Sequence, residues 1–185
     1  MSSISTRPMT ADEFLVYPFE PGTRHELVRG EVRSLELPGG KHGRVALKAG
    51  RLIGNFVESR MLGYSYAAET GFVIERDPDT VRAPDVSFVR VDRLPEVLDD
   101  EKFLPFAPDL AVEVASPTDR PGEIAEKTDR WLTAGTRMVW NLYPRSATAT
   151  IHRPGTPPVT LSAEDEIDGG DVLPGFRCCV GELFV

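Results

Sequence analysis

The sequence predicts one mixed α/β domain built around a central sheet, and three observations carry that expectation. At 185 residues the chain can bury a sizeable core without a disulfide or a structural metal. Apolar residues recur at helical spacing through residues 42–60 and again through 123–134. Between and after these stretches lie β-branched and aromatic runs bounded by Gly, Pro and Asp turns, the pattern of strands. Without an obvious linker or internal repeat, residues 1–185 form a single domain, with the polar segment 1–8 expected to be flexible.

Taken in order, Thr10-Ala11-Asp12-Glu13 spells a capping box that starts a short helix ending before Pro18. From Arg24 to Leu37, apolar residues flank Arg29-Gly30, a hairpin whose acidic members Glu26 and Glu31 face either solvent or a site. Pro38-Gly39-Gly40 breaks the chain. Through the long helix from about His42 to Arg60, the apolar residues Val45, Ala49, Leu52, Ile53 and Phe56 then fall at helical spacing. Beside that stripe Arg44, Lys48, Arg51 and Asn55 share one flank, which suits either solvent or phosphate.

Three β-like runs follow Gly63: Tyr64 to Glu75, Val81 to Val89, and Leu110 to Ser116. Asp77-Pro78-Asp79 turns between the first two, and the acidic 92–108 segment is a surface loop with one helical turn. The second helix, Glu123 to Ala134, turns Ile124, Thr128, Trp131 and Leu132 inward and stops at Gly135. A strand at Met138 to Tyr143, a hairpin at 148–161 and an apolar tail from Leu173 to Val185 complete the chain. That tail could serve a core or an interface.

Composition narrows the setting. The 41% hydrophobic and 27% charged residues are ordinary for a globular protein, no apolar run approaches membrane-spanning length, and Met1 to Thr10 lacks the apolar core of a signal peptide. A cytoplasmic protein that avoids membranes is expected. Adjacent Cys178 and Cys179 suit neither zinc nor an ordinary bridge, and read as packing residues. A net charge of −8 excludes a broadly basic surface, so any phosphate contact must be local.

The chemistry concentrates between Val81 and Lys127. Asp85 and Glu113 are carboxylates set inside apolar, strand-forming runs, where a charge costs several kcal/mol unless something pairs with it. By strand alternation, Ala111, Glu113 and Ala115 share one face, and the two alanines leave room beside the carboxylate. Pro84 cannot donate a ladder hydrogen bond, so it favours an edge or bulge that re-aims Asp85. Two such carboxylates converging suit magnesium or manganese; backbone hydrogen bonding in a purely structural role would also satisfy them. Lys127, one of four lysines, lies at the border of its helix's apolar face and could reach inward or snorkel to solvent.

These residues carry a resemblance. Ala83-Pro84-Asp85, Asp109 to Val114 with Ser116-Pro117-Thr118-Asp119, Glu126-Lys127 with Trp131, and Tyr143-Pro144 resemble the Uma family, bacterial proteins described as putative restriction endonucleases in the PD-(D/E)XK nuclease superfamily. Glu26-Leu27-Val28, His42-Gly43, Glu69-Thr70-Gly71-Phe72 and Leu173-Pro174-Gly175-Phe176 extend the likeness over nearly the whole chain.

The resemblance implies a restriction-endonuclease-like core of helix-strand-strand-strand-helix-strand order with extra β-hairpins. It implies a nuclease that hydrolyses phosphodiester bonds in DNA with Mg2+ or Mn2+, held by Asp85, Glu113 and the backbone carbonyl of Val114. The superfamily's lysine, two residues after the glutamate, is here Ala115, and the following helix supplies Lys127 instead. Glu26 and Glu69 are further candidates for the pocket edge, and His42 either contacts phosphate or caps its helix. Arg44, Lys48 and Arg51 are the phosphate-binding candidates, and a homodimer is expected. Two other functions fit the residues: a nuclease-fold protein that only binds nucleic acid or a protein partner, and a carboxylate pair performing acid–base work on a sugar or small molecule.

Overall fold

The computed structural model describes residues 7–94 and 101–185. Most of the segment expected to be flexible, and part of the 92–108 loop, lie outside them. Met9 is already anchored, its amide donating to the Gly30 carbonyl at 2.9 Å.

Helix α1 (Ala11–Leu15) opens on the expected capping box: Thr10 accepts from the Glu13 amide at 3.3 Å while Glu13 accepts from the Thr10 amide at 2.9 Å. Strands β1 (Arg24–Val28) and β2 (Glu31–Leu35) form the hairpin, and Arg29 and Gly30 take positive φ of 53° and 77° at its two-residue turn. Glycine is required at the second position because a Cβ there would stand 2.2 Å from that of Pro8. Helix α2 (Gly40–Ser59) buries Val45, Ala49, Ile53 and Val57, a stripe that recurs every fourth residue.

Strands β3 (Gly63–Ala67), β4 (Phe72–Glu75), β5 (Thr80–Arg82), β6 (Val86–Arg90) and β7 (Leu110–Val114) follow, with a 3-10 turn at Val91–Arg93. Helix α3 (Pro121–Thr133) starts two residues before the expected point, on a proline whose missing N–H no helix would have used. Just beyond its C-cap Ala134, Gly135 takes a φ of 102°. Strands β8 (Met138–Tyr143), β9 (Thr148–His152), β10 (Val159–Leu161), β11 (Glu166–Asp168) and β12 (Arg177–Cys179) complete the chain with a 3-10 turn at Val180–Phe184.

One central sheet was the expectation; the molecule has a six-stranded sheet of order β10-β9-β8-β7-β6-β3, a four-stranded sheet of order β2-β1-β5-β4, and a β11-β12 pair. Two runs that read as continuous strands are each divided between the large sheets, Tyr64 to Glu75 into β3 and β4, and Val81 to Val89 into β5 and β6. The second division falls on Ala83-Pro84-Asp85, where proline removes a ladder donor. Asp85 therefore lies where the chain passes from one sheet to the other.

Within the six-stranded sheet β7 and β8 are parallel, joined by α3. Alternation along β7 then sorts the two faces. Leu110, Val112 and Val114 pack with the α2 stripe, whereas Ala111 lies with Trp131 of α3, Phe72 and Val139 on the other face. Each fully buried aliphatic side chain contributes about 1.5–3 kcal/mol. The C-terminal tail belongs to the α2-side core, with Leu173, Phe176, Val180 and Leu183 buried. Cys178 and Cys179 are both free, the first buried and the second half-buried.

Candidate active site

The carboxyl ends of parallel strands are where α/β sheets place ligands, and Glu113 stands one residue from the end of β7. It projects on the α3 face, as alternation requires. Two α3 side chains one helical turn apart reach it: Lys127 Nζ donates to Oε2 at 2.9 Å and Trp131 Nε1 to Oε1 at 2.9 Å. Lys127 therefore turns inward, its side chain one-quarter exposed, and its ammonium also lies 3.4 Å from Glu26 Oε1. Glu26 is 3% exposed, and its other oxygen accepts from Arg82 at 2.9 Å. Arg82, Glu26, Lys127, Glu113 and Trp131 thus form one connected chain of polar contacts across both large sheets.

Asp85 faces the same cavity from the passage between the sheets. Its Oδ2 accepts from the Val114 amide at 2.8 Å and lies 3.2 Å from His42 Nε2. The cavity measures about 750 Å³ and its wall includes Glu26, His42, Asp85, Glu113, Lys127 and Asn141.

Charge is unevenly matched in this cavity. Burial pushes the Glu113 carboxyl up to about 7; Lys127 opposes the rise, while the charges of Asp85 and Glu26 add to it. Burial also works against the Lys127 ammonium, but Glu113 and Glu26 outweigh it and hold the lysine protonated. Asp85 moves the other way: burial disfavours its charge, yet hydrogen bonds from His42 and Val114 keep its pKa low. The bond to Asp85 raises His42 against the effect of burial. Glu26, Asp85 and Glu113 each have a cationic or imidazole partner, Arg82, His42 and Lys127 respectively, and the rise of Glu113 shows that its pairing does not fully offset burial and the neighbouring carboxylates.

Among the described residues no group of three or more His, Cys, Asp and Glu side chains is gathered as a metal site. The donor chemistry nevertheless fits Mg2+ or Mn2+, since Asp85 and Glu113 are hard oxygen ligands. Asp85 commits only Oδ2 to its partners, and Val114 lines the cavity beside Glu113. The cation Lys127 standing on Glu113 counts against a two-carboxylate acid–base site for sugars.

Not every sequence candidate joins the cluster. Glu69 lies 3.4 Å from Arg24, with 72% of its side chain exposed, and lines a neighbouring cavity of about 500 Å³. His42 does not cap α2; the N-cap is Gly39, without a side-chain bond, and the imidazole serves Asp85 instead. Arg44 and Arg51 are exposed and Lys48 half-buried, none in an ion pair among the described residues and none on the cavity wall. Three contributors were missed in the sequence. Arg82 reads as a strand residue, Trp131 as core, and Asn141 as one polar position in an apolar strand. For Trp131 two signals were available, its place beside Glu126-Lys127 in the family resemblance and its spacing four residues after Lys127.

No helix among the described residues is long and apolar enough to cross a membrane. A family model described as "Uma2: Putative restriction endonuclease" matches residues 11–181. No curated protein matches the chain. Among solved structures, a protein titled as a putative nuclease belonging to DUF820 from Anabaena variabilis ATCC 29413 superposes with a TM-score of 0.82 at 23% identity, covering 96% of this chain and 98% of that one. At that identity the likeness establishes the fold, which is restriction-endonuclease-like.

Proposed function

This chain belongs to the Uma2 family, and from that premise we propose that it is a divalent-metal-dependent nuclease that hydrolyses phosphodiester bonds in DNA. The observation that carries the reading is Lys127 on Glu113 at 2.9 Å, in the cavity that Asp85 also faces. Ala115, the position that the family resemblance gives to a strand lysine, lines the same cavity, and in this reading the α3 ammonium takes that lysine's place.

Asp85, Glu113 and the Val114 carbonyl would hold Mg2+ or Mn2+. When bound, such an ion supplies Lewis acidity toward the phosphate and lowers the pKa of water. The chain's own groups do the rest. Lys127 stays protonated and cannot serve as a base at neutral pH; it orients water and stabilises negative charge developing on the phosphate. Glu26, held by Arg82, fixes the ammonium from its other side. Trp131 fixes the Glu113 carboxylate, and His42 with the Val114 amide fixes that of Asp85. Arg44, Lys48 and Arg51, in no ion pair among the described residues, are the candidates for contacts with more distant phosphates. A cytoplasmic setting and a homodimer belong to the same reading.

A second reading draws on a specific observation. Both Glu113 oxygens already accept hydrogen bonds, which suits a nuclease-fold protein that binds nucleic acid or a protein partner without cutting. Incubating purified protein with single-stranded, double-stranded and branched DNA, with Mg2+, Mn2+ or EDTA, separates the two. Cleavage is expected with metal only, and Asp85→Asn should lower it by about 10³-fold, a loss of about 4 kcal/mol. Absence of cleavage on every substrate, or full activity in Asp85→Asn, defeats the catalytic reading.

A further inference from the structure

Asn141 stands opposite Glu113 in the parallel β7–β8 register, and neighbouring strands lie about 4.8 Å apart. It is 2% exposed and forms part of the cavity wall. Its amide orientation follows from its partners. Thr128 spends its one hydroxyl proton on the Ile124 carbonyl at 2.8 Å, so it can only accept from Asn141 Nδ2, at 2.9 Å. The second amide proton goes to His152 Nε2 at 3.1 Å. Burial lowers the His152 pKa against the opposing charge of Asp129, which favours the neutral ring, and the tautomer protonated on Nδ1 leaves Nε2 to accept.

Oδ1, by contrast, has no donor among the described residues and is buried. Strand β9 lies on one side of β8 and β7 on the other. With Nδ2 drawn toward His152 of β9, Oδ1 is left on the β7 side, beside Glu113. A buried acceptor without a partner is unfavourable; leucine repeats the branched outline of asparagine without an acceptor, but it is larger and its neighbours must give way to hold it.

We propose that Asn141 is a positioning residue of the candidate active site, its Oδ1 accepting a hydrogen bond from a water molecule on the cavity floor beside Glu113. In the nuclease, on which this role rests, that bond sets where water stands relative to Lys127 and the phosphate. Asn141 acts through the water and does not itself touch substrate.

The test combines a high-resolution crystal structure of the wild-type protein with the variant Asn141→Leu. The expected results are a water within hydrogen-bonding distance of Oδ1 and, in the variant, a kcat at least about tenfold lower with KM within about twofold. A structural role alone would leave kcat intact, and that result overturns the proposal. A protein donor on Oδ1 in place of water overturns it as well. Should the wild-type protein show no metal-dependent cleavage, the nuclease reading fails separately. The water then decides the assignment of Asn141: its presence on Oδ1 sustains it, and its absence overturns it.

Discussion

On the α2 side of the large sheet, Leu110, Val112 and Val114 meet Val45, Ala49, Ile53 and Val57 in a wholly apolar contact. On the α3 side the same strand presents Ala111 and Glu113, and the helix answers with Thr128, Trp131 and Lys127. One strand therefore separates two kinds of interior. The first lowers the free energy of the fold by removing hydrocarbon from water. The second holds a carboxylate, an ammonium and an amide in fixed positions, each stabilised only by the partner beside it. A substitution on the α2 face should act on stability, and one on the α3 face on chemistry and on pH dependence.

The largest effect expected on folding comes from the apolar face. Ile53 is fully buried at the centre of the α2 stripe, and Ile53→Ala should cost about 2–5 kcal/mol through lost transfer energy and the cavity left behind. Urea unfolding measures it. A cost well below 1 kcal/mol would mean that α2 repacks freely, and the contrast between the faces would lose its stabilising half.

A smaller effect is expected from the polar face, and it depends on pH. The folded-state pKa of Glu113, about 7, lies above its ordinary 4.5. Its protonated form is therefore the one that folding favours. The corresponding stability is fully present below about 4.5 and is lost as pH rises through about 7. His42, also raised, adds a loss in the same direction, and Asp85, lowered, adds one on acidification. The metal-free protein should consequently lose urea stability between mildly acidic and mildly alkaline pH. Glu113→Gln should flatten the part that Glu113 contributes. Equal slopes for the two proteins would show that Lys127 already compensates the carboxylate.

Removing that compensation sharpens the comparison further. In Lys127→Met, Glu113 keeps the Trp131 bond but loses its cation, so its pKa should climb and the loss of stability should shift to higher pH. The same unfolding series, run with the variant, measures the shift. No change would mean that Lys127 and Glu113 interact weakly despite their contact.

Much of the fold is legible in the chain because its signals are local. The Thr10 capping box, the Arg29-Gly30 turn, the α2 stripe and the alternation that aims Glu113 away from Val112 and Val114 each involve residues a few positions apart. Asp85 and Glu113 stood out for a related reason, since an isolated carboxylate in an apolar run is conspicuous wherever its partner lies. Family motifs pointed to Lys127, and helical geometry placed it at the border from which it could turn either way.

What the sequence determined by itself was the order of elements, the family and the pair of carboxylates. Tertiary structure decided that the runs around Glu69 and Pro84 divide between two sheets, so that Glu69 faces solvent while Glu26 is buried beside Lys127. It also decided that His42 serves Asp85 and that Arg82, Trp131 and Asn141 join the site. The physical reason is range: caps, turns and periodicity follow from bonded neighbours, whereas Glu26 and Arg82 lie 56 residues apart. Their partnership exists only after the sheets have packed and left each buried polar group to pair with what stands opposite.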